Sequence, residues 1–203
     1  MNTESTGGVP PRANQTVADL GVTAVAAAIR RGEITSESYS AALLENAREH
    51  SDLNAFITID ESAVLGAARA ADEARAQGST APLLGVPFGI KDSYATAGLR
   101  TTLGVKSLDA FVPQHDAEIV GLIKAAGGIV FGKNNLVEMS WGLTGDNSGY
   151  GQVSGCCRSD LEGRPSNGSL DRVIAAGRGH EGRHLTLLCR QGLGMSPPFT
   201  ARL

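Results

Sequence analysis

One order of elements constrains this chain more than any other feature: apolar run, helix, short glycine turn, apolar run, over residues 83–132. Residues 83–90 (LLGVPFGI) form an apolar stretch that ends abruptly in Lys91-Asp92. His115-Asp116 then predicts the cap of a helix whose apolar side is Ile119, Val120, Leu122 and Ile123. Gly127-Gly128 closes that helix, and residues 129–132 (IVFG) read as a short buried strand. Two strands joined through a helix run parallel, because a tight turn cannot connect them. The fold class that this order implies is α/β, with a parallel layer of strands and helices.

The elements upstream fit the same plan. Residues 17–31 carry Leu20, Val22, Val25 and Ile29 near helical spacing, with Gly32 as a stop. Thr35 and Ser36 offer an N-cap for a second helix with Tyr39, Ala42, Leu43 and Ala47. Residues 53–59 (LNAFITI) predict a buried strand, and the Ala-rich residues 62–77 predict a helix.

At 203 residues and 41% hydrophobic, the chain can bury a core, which excludes global disorder. A net charge of −3 gives no basic surface for nucleic acid. No apolar run reaches the ~18 residues a membrane span needs, and the polar N-terminus has no signal-peptide core. Cytoplasmic residence is the resulting expectation. Cys156, Cys157 and Cys189 form neither a disulfide framework nor a zinc pattern. His180 and His184 stand four apart near Cys189 but lack an HExxH or CxxC context, so no metal is expected.

The chemistry-bearing residue is Lys91. A lysine at the end of an apolar run is a candidate general base, since desolvation disfavours its charged form. A surface lysine paired with Asp92 is the plain structural alternative. Lys91 does not stand alone. Gly85-x-Pro87-x-x-Ile90-Lys91-Asp92 is followed by Gly98-x-x-Thr101-Thr102-x-Gly104 and Pro113-x-x-Asp116-Ala117. Then come Leu122-x-x-Ala125-Ala126-Gly127, Gly132-Lys133-x-Asn135, Glu138-Met139-x-x-Gly142 and Asn147-x-x-Tyr150-Gly151. This ordered series resembles the amidase signature family, as do Arg31-Gly32-Glu33-Ile34-Thr35-Ser36 and Leu53-Asn54-Ala55-Phe56 upstream.

The resemblance implies an α/β fold with a mixed, mostly parallel sheet covered by helices, incomplete in this chain. It also implies hydrolysis of a small-molecule carboxamide to carboxylate and ammonia by a Ser-Ser-Lys mechanism, without a cofactor. Lys91 matches the family lysine, and counting on from Gln152 puts the proton-shuttling serine near Ser166. The loop with Gly145, Asp146 and Asn147 resembles the segment lining the acyl pocket; Trp141 is then a pocket wall or a plain core residue. The wording of residues 138–147 looks most like branches acting on arylalkyl amides. The alternatives are an amidotransferase subunit releasing ammonia for a tRNA-modifying partner, and a non-catalytic truncated product.

The domain organisation expected is a flexible tail over 1–14, the N-terminal part of an amidase signature domain over 15–153, and a divergent Gly/Arg-rich tail over 154–203. Beyond Val153 lysine vanishes, and seven arginines and all three cysteines appear. The family's Gly-Gly-Ser nucleophile stretch has no counterpart there, and Cys189 lacks the glycines of an oxyanion hole. A shifted reading frame after Val153 and a truncated, inactive chain are the corresponding expectations.

Overall fold

The computed structural model describes residues 21–142 and 147–154. Four helices surround a three-stranded sheet. Helix α1 (Val22–Arg31) buries Val25, Ala26, Ala28 and Ile29 and closes where the Gly32 N–H reaches Ala28 O and Ile29 O. Helix α2 (Ser36–Glu49) starts as its sequence predicts, with the Thr35 side chain accepting from Ser38 N. Helix α3 (Glu61–Ala76) is capped by Asp60, which accepts from Ala63 N. Asp72 of α3 accepts from Ser36 N at 2.8 Å and Glu37 N at 3.0 Å, so one helix satisfies the open N-terminus of the other.

The strands are β1 (Phe56–Thr58), β2 (Pro87–Lys91) and β3 (Ile129–Asn134), in the order β1-β3-β2. The expected parallel pairing of β2 with β3 is present, and β1 adds an antiparallel edge. The register passes from Phe88↔Val130 to Gly89↔Gly132, leaving Phe131 as an extra residue. Phe88 and Ile90 pack with Val25, Ile29, Tyr39, Val86 and Val120, while Phe131 packs with Leu44 and Val64. The described sheet is small and mixed, with β1 and β2 as its outer strands.

Several boundaries differ from the sequence reading for local reasons. Asn54 adopts a left-handed φ of 51°, which breaks the stretch 53–59 and leaves a short, half-buried β1. The apolar run 83–90 enters the sheet only at Pro87, after a turn through Gly85. Helix α4 (Glu118–Ala125) has Ala117 at its N-cap, not His115-Asp116. The Asp116 carboxylate accepts from Ala97 N at 2.8 Å and meets Lys124 Nζ at 2.7 Å instead, drawn to a loop N–H and a cation. Of the predicted apolar side, Val120 is buried, whereas Ile119 and Leu122 are exposed. Beside it, a groove of about 520 Å³ runs between the alanine face of α3 and residues 127–131. Incomplete cover of these apolar surfaces agrees with an unfinished sheet.

Gly85 tests the α2–β2 junction. Its φ is +74°, and an added Cβ would lie 2.7 Å from Ser36 Cβ and Oγ. Ser36 Oγ also donates to Gly85 O at 2.6 Å. Gly78 has a φ of +90° but open space around the Cβ position. Gly85→Ala should therefore cost about 2–4 kcal/mol in urea denaturation, and Gly78→Ala about 1 kcal/mol. Equal losses would show that backbone strain alone matters there.

Candidate active site

Lys91 is the last residue of β2, at the carboxyl end of the parallel pair, where open α/β sheets place their sites. The run Pro87, Phe88, Gly89, Ile90 is buried and Lys91 is half-buried, so the strand leaves the core at this lysine. Its backbone is held on both sides. Lys91 pairs with Asn134, Asp92 N donates to Asn134 O at 3.1 Å, and Tyr94 N donates to Lys91 O at 3.0 Å.

The neighbouring carboxylate has a different partner from the one the surface alternative supposes. Asp92 is fully buried; its Oδ2 accepts from Thr102 N at 2.8 Å and Thr102 Oγ1 at 2.5 Å. Its Oδ1 lies 3.4 Å from Lys133 Nζ. Lys133 is itself 0% exposed, and its Nζ donates to Tyr94 O at 2.6 Å, Thr101 Oγ1 at 2.7 Å and Thr96 Oγ1 at 3.2 Å. Burial pushes the Lys133 amine down to about 8, and Asp92 pulls it back up. Lys133 stood in the sequence as part of a Gly-Lys-x-Asn wording; nothing in its spacing announced a buried cation.

Two asparagines brace the other flank. Asn135 donates to Asn54 O and Gly151 O, both at 3.1 Å, while Asn54 Nδ2 donates to Tyr150 O at 2.7 Å. Asn147 is buried, donates to Leu136 O at 2.7 Å and Gly104 O at 2.9 Å, and accepts from Gly149 N and Tyr150 N. Its amide is spent on backbone groups, which makes it a loop brace in this arrangement. Tyr150 donates to Asp109 Oδ1 at 2.6 Å beneath Lys106, whose Nζ stands 3.9 Å from the ring centroid. The Tyr150 hydroxyl, with Arg100 and Lys106 nearby, holds the Asp109 carboxyl below its ordinary value against desolvation.

The predicted site residues are thus only partly assembled. Lys91 and Asn147 lie in this end of the fold. Trp141 is 89% exposed, which removes the core alternative for it. Gly145, Asp146 and Ser166 lie outside the described residues, as do Cys189 and the histidine pair. No cluster of three or more His, Cys, Asp or Glu suited to a metal occurs among the described residues, and no described helix is long and apolar enough to cross a membrane.

A lysine at the carboxyl end of a parallel strand pair, with asparagine-braced loops at the same end of the sheet, makes this an α/β fold with a candidate site there. The chain belongs to the amidase family, whose pattern it matches over residues 38–161. It is 43% identical over 146 residues to a glutamyl-tRNA(Gln) amidotransferase subunit of Desulforapulum autotrophicum, covering 71% of this chain and 30% of that protein. To the same amidotransferase component of Chromohalobacter salexigens it is 40% identical, covering 78% and 33%. The solved peptide amidase of Stenotrophomonas maltophilia superposes with a TM-score of 0.65 at 29% identity, over 77% of this chain and 34% of that one. The chain spans about a third of the length of the curated relatives it matches.

The buried lysine gives a pH test. Its amine titrates near 8 when folded and about 10.4 when unfolded, so between these values the unfolded chain binds more protons. Stability from this group therefore rises with pH across that window, by roughly 3 kcal/mol in total. Urea midpoints measured from pH 7 to 10 should show the rise in wild type and lack it in Lys133→Met. A parallel pH dependence in the two proteins would remove Lys133 as its source.

Proposed function

We propose that this chain carries the general base of a Ser-Ser-Lys amidase acting on a small carboxamide in the cytoplasm. The observation that supports this best is Lys91 itself: half-buried, at the carboxyl end of β2, within a family match that includes it. In the reaction, neutral Lys91 takes a proton from the shuttle serine, which takes one from the nucleophilic serine as that oxygen attacks the carbonyl. The proton then returns through the shuttle to the leaving nitrogen, ammonia departs, and water hydrolyses the acyl-enzyme. The shuttle position, counted on from Gln152, falls at Ser166, with Trp141, Gly145, Asp146 and Asn147 beside the acyl group; Ser166 itself lies in the segment that replaces the family's own serine stretch.

The nucleophile stretch is missing from residues 154–203, and we read those residues as a product of a shifted frame. The 203-residue protein should then hydrolyse phenylacetamide and indoleacetamide no faster than buffer. The alternative frames downstream of the Val153 codon should encode Gly-Gly-Ser-Ser-Gly-like and Gly-Thr-Asp-x-Gly-Gly-Ser-like stretches. Protein made from that frame should hydrolyse amides, and Lys91→Ala should lower its turnover by at least about a thousandfold without changing its melting temperature. Hydrolysis by the 203-residue chain, or near-normal turnover in Lys91→Ala, would overturn this reading.

The relatives favour a second substrate class. Both curated relatives named above are glutamyl-tRNA(Gln) amidotransferase subunits, which supports a component that releases ammonia for a partner. Ammonia release from free arylalkyl amides, with neither partner nor tRNA present, separates the two. A strict need for a partner would favour the amidotransferase role.

A further inference from the structure

A base next to a carboxylate has a problem. Asp92 follows Lys91 in the chain, and a negative charge on the adjacent residue, even on the other face of the strand, favours the protonated amine. A proton acceptor needs the opposite. The same Asp92 is also 0% exposed, where an uncompensated carboxylate is costly.

The second lysine answers both difficulties. Lys133 pairs in register with Ile90, and Lys91 pairs with Asn134, so the two lysines occupy adjacent rungs of β2 and β3. Residues paired across parallel strands share a face, and successive residues alternate. Lys133 therefore shares the face of Ile90, from which Asp92 also projects, while Lys91 takes the other. The Lys133 N–H groups are occupied by three neutral oxygens, on Tyr94, Thr96 and Thr101. Asp92 Oδ1 makes no hydrogen bond and meets Lys133 at 3.4 Å by charge alone. Among the described residues nearby, Arg100, Asp109 and Lys106 have partners of their own. Arg100 bonds Thr58 and Ile57 of β1 and pairs with Asp109, and Lys106 sits on the Tyr150 ring. Helices α3 and α4 turn Val64, Ala68 and Val120 inward.

We propose that Lys133 is a positioning residue for Lys91: its buried ammonium cancels the field of Asp92 at the Lys91 amine, while its bonds fix the loop that leaves the strand there. This rests on the reading of Lys91 as the general base. It assigns a task to a fully buried cation that a methionine of similar reach could replace by packing alone. With its amine near 8, Lys133 is still mostly protonated at pH 7, where the cancellation is needed.

The chain holds four lysines, Lys91, Lys106, Lys124 and Lys133, so each side-chain methylene can be assigned and titrated in ¹³C-lysine NMR of the 203-residue protein. In Lys133→Met the lone Asp92 charge should raise the Lys91 pKa, cutting its neutral fraction at pH 7 about three- to tenfold. In Asp92→Asn the shift should have the opposite sign, and the double variant should return to within about twofold of wild type. Amide exchange over residues 93–104 shows in each variant whether the loop stays folded. If Lys133→Met fails to fold, the sign of the Asp92→Asn shift decides the matter. A Lys91 titration that stays put, or moves the same way in both single variants, would overturn the proposal, because a merely structural pair loosens the loop without opposite shifts. The titration needs no turnover, so failure of the base assignment itself would appear separately, as retained hydrolysis in Lys91→Ala.

Discussion

A lysine ammonium with no exposure, surrounded by four oxygens at the carboxyl end of the sheet, is the interaction on which the site depends. Taking such a charge out of water costs several kcal/mol unless every N–H and the charge itself are answered. Here Tyr94, Thr96 and Thr101 answer the N–H groups and Asp92 answers the charge. Those partners come from both ends of the segment that follows β2. Asp92 in turn binds Thr102 twice, so the same knot fixes the chain immediately after Lys91 and again ten residues later. The loop cannot drift without breaking a buried charge pair.

The rest of the site is built with asparagine side chains in place of regular secondary structure. Asn54, Asn135 and Asn147 each reach backbone carbonyls far away in sequence, pinning residues 147–152 beside the ends of β1 and β3. A carboxamide suits this work because it carries two donors and an acceptor without charge, so it can be buried once all are engaged. The result is a network at the ends of β1 and β3 whose polar groups face the protein's own backbone.

Outside that network the fold is open. The apolar residues Ile119 and Leu122 of α4 and the alanine face of α3 stand uncovered beside a groove. The chain spans about a third of the curated amidotransferase subunit and of the solved peptide amidase that it resembles. Trp141, beyond Met139 and Ser140 with their positive φ of 53° and 59°, is exposed as well. These exposed apolar residues contrast with the fully buried and hydrogen-bonded Lys133–Asp92 network.

The sequence by itself determined the order of elements and the parallel pairing of β2 with β3. Apolar periodicity and the closing glycines are local properties that each segment carries alone. The same is true of the Thr35 cap and of the position of Lys91 at a strand end. The sequence also carried the family resemblance through its ordered short motifs. Tertiary structure decided what those motifs do. The extra residue at Phe131 shifts the register so that Lys133 stands on the Ile90 face and not in strict alternation with Phe131, which no periodicity rule reveals. Asp92 looks like a natural surface partner for Lys91 when read along the chain, yet its charge is taken by a residue forty-one positions away. Asp116, read as a helix cap, serves a loop N–H and Lys124 for the same reason. Charges and hydrogen-bond donors choose partners by distance in space, and only the folded chain sets those distances.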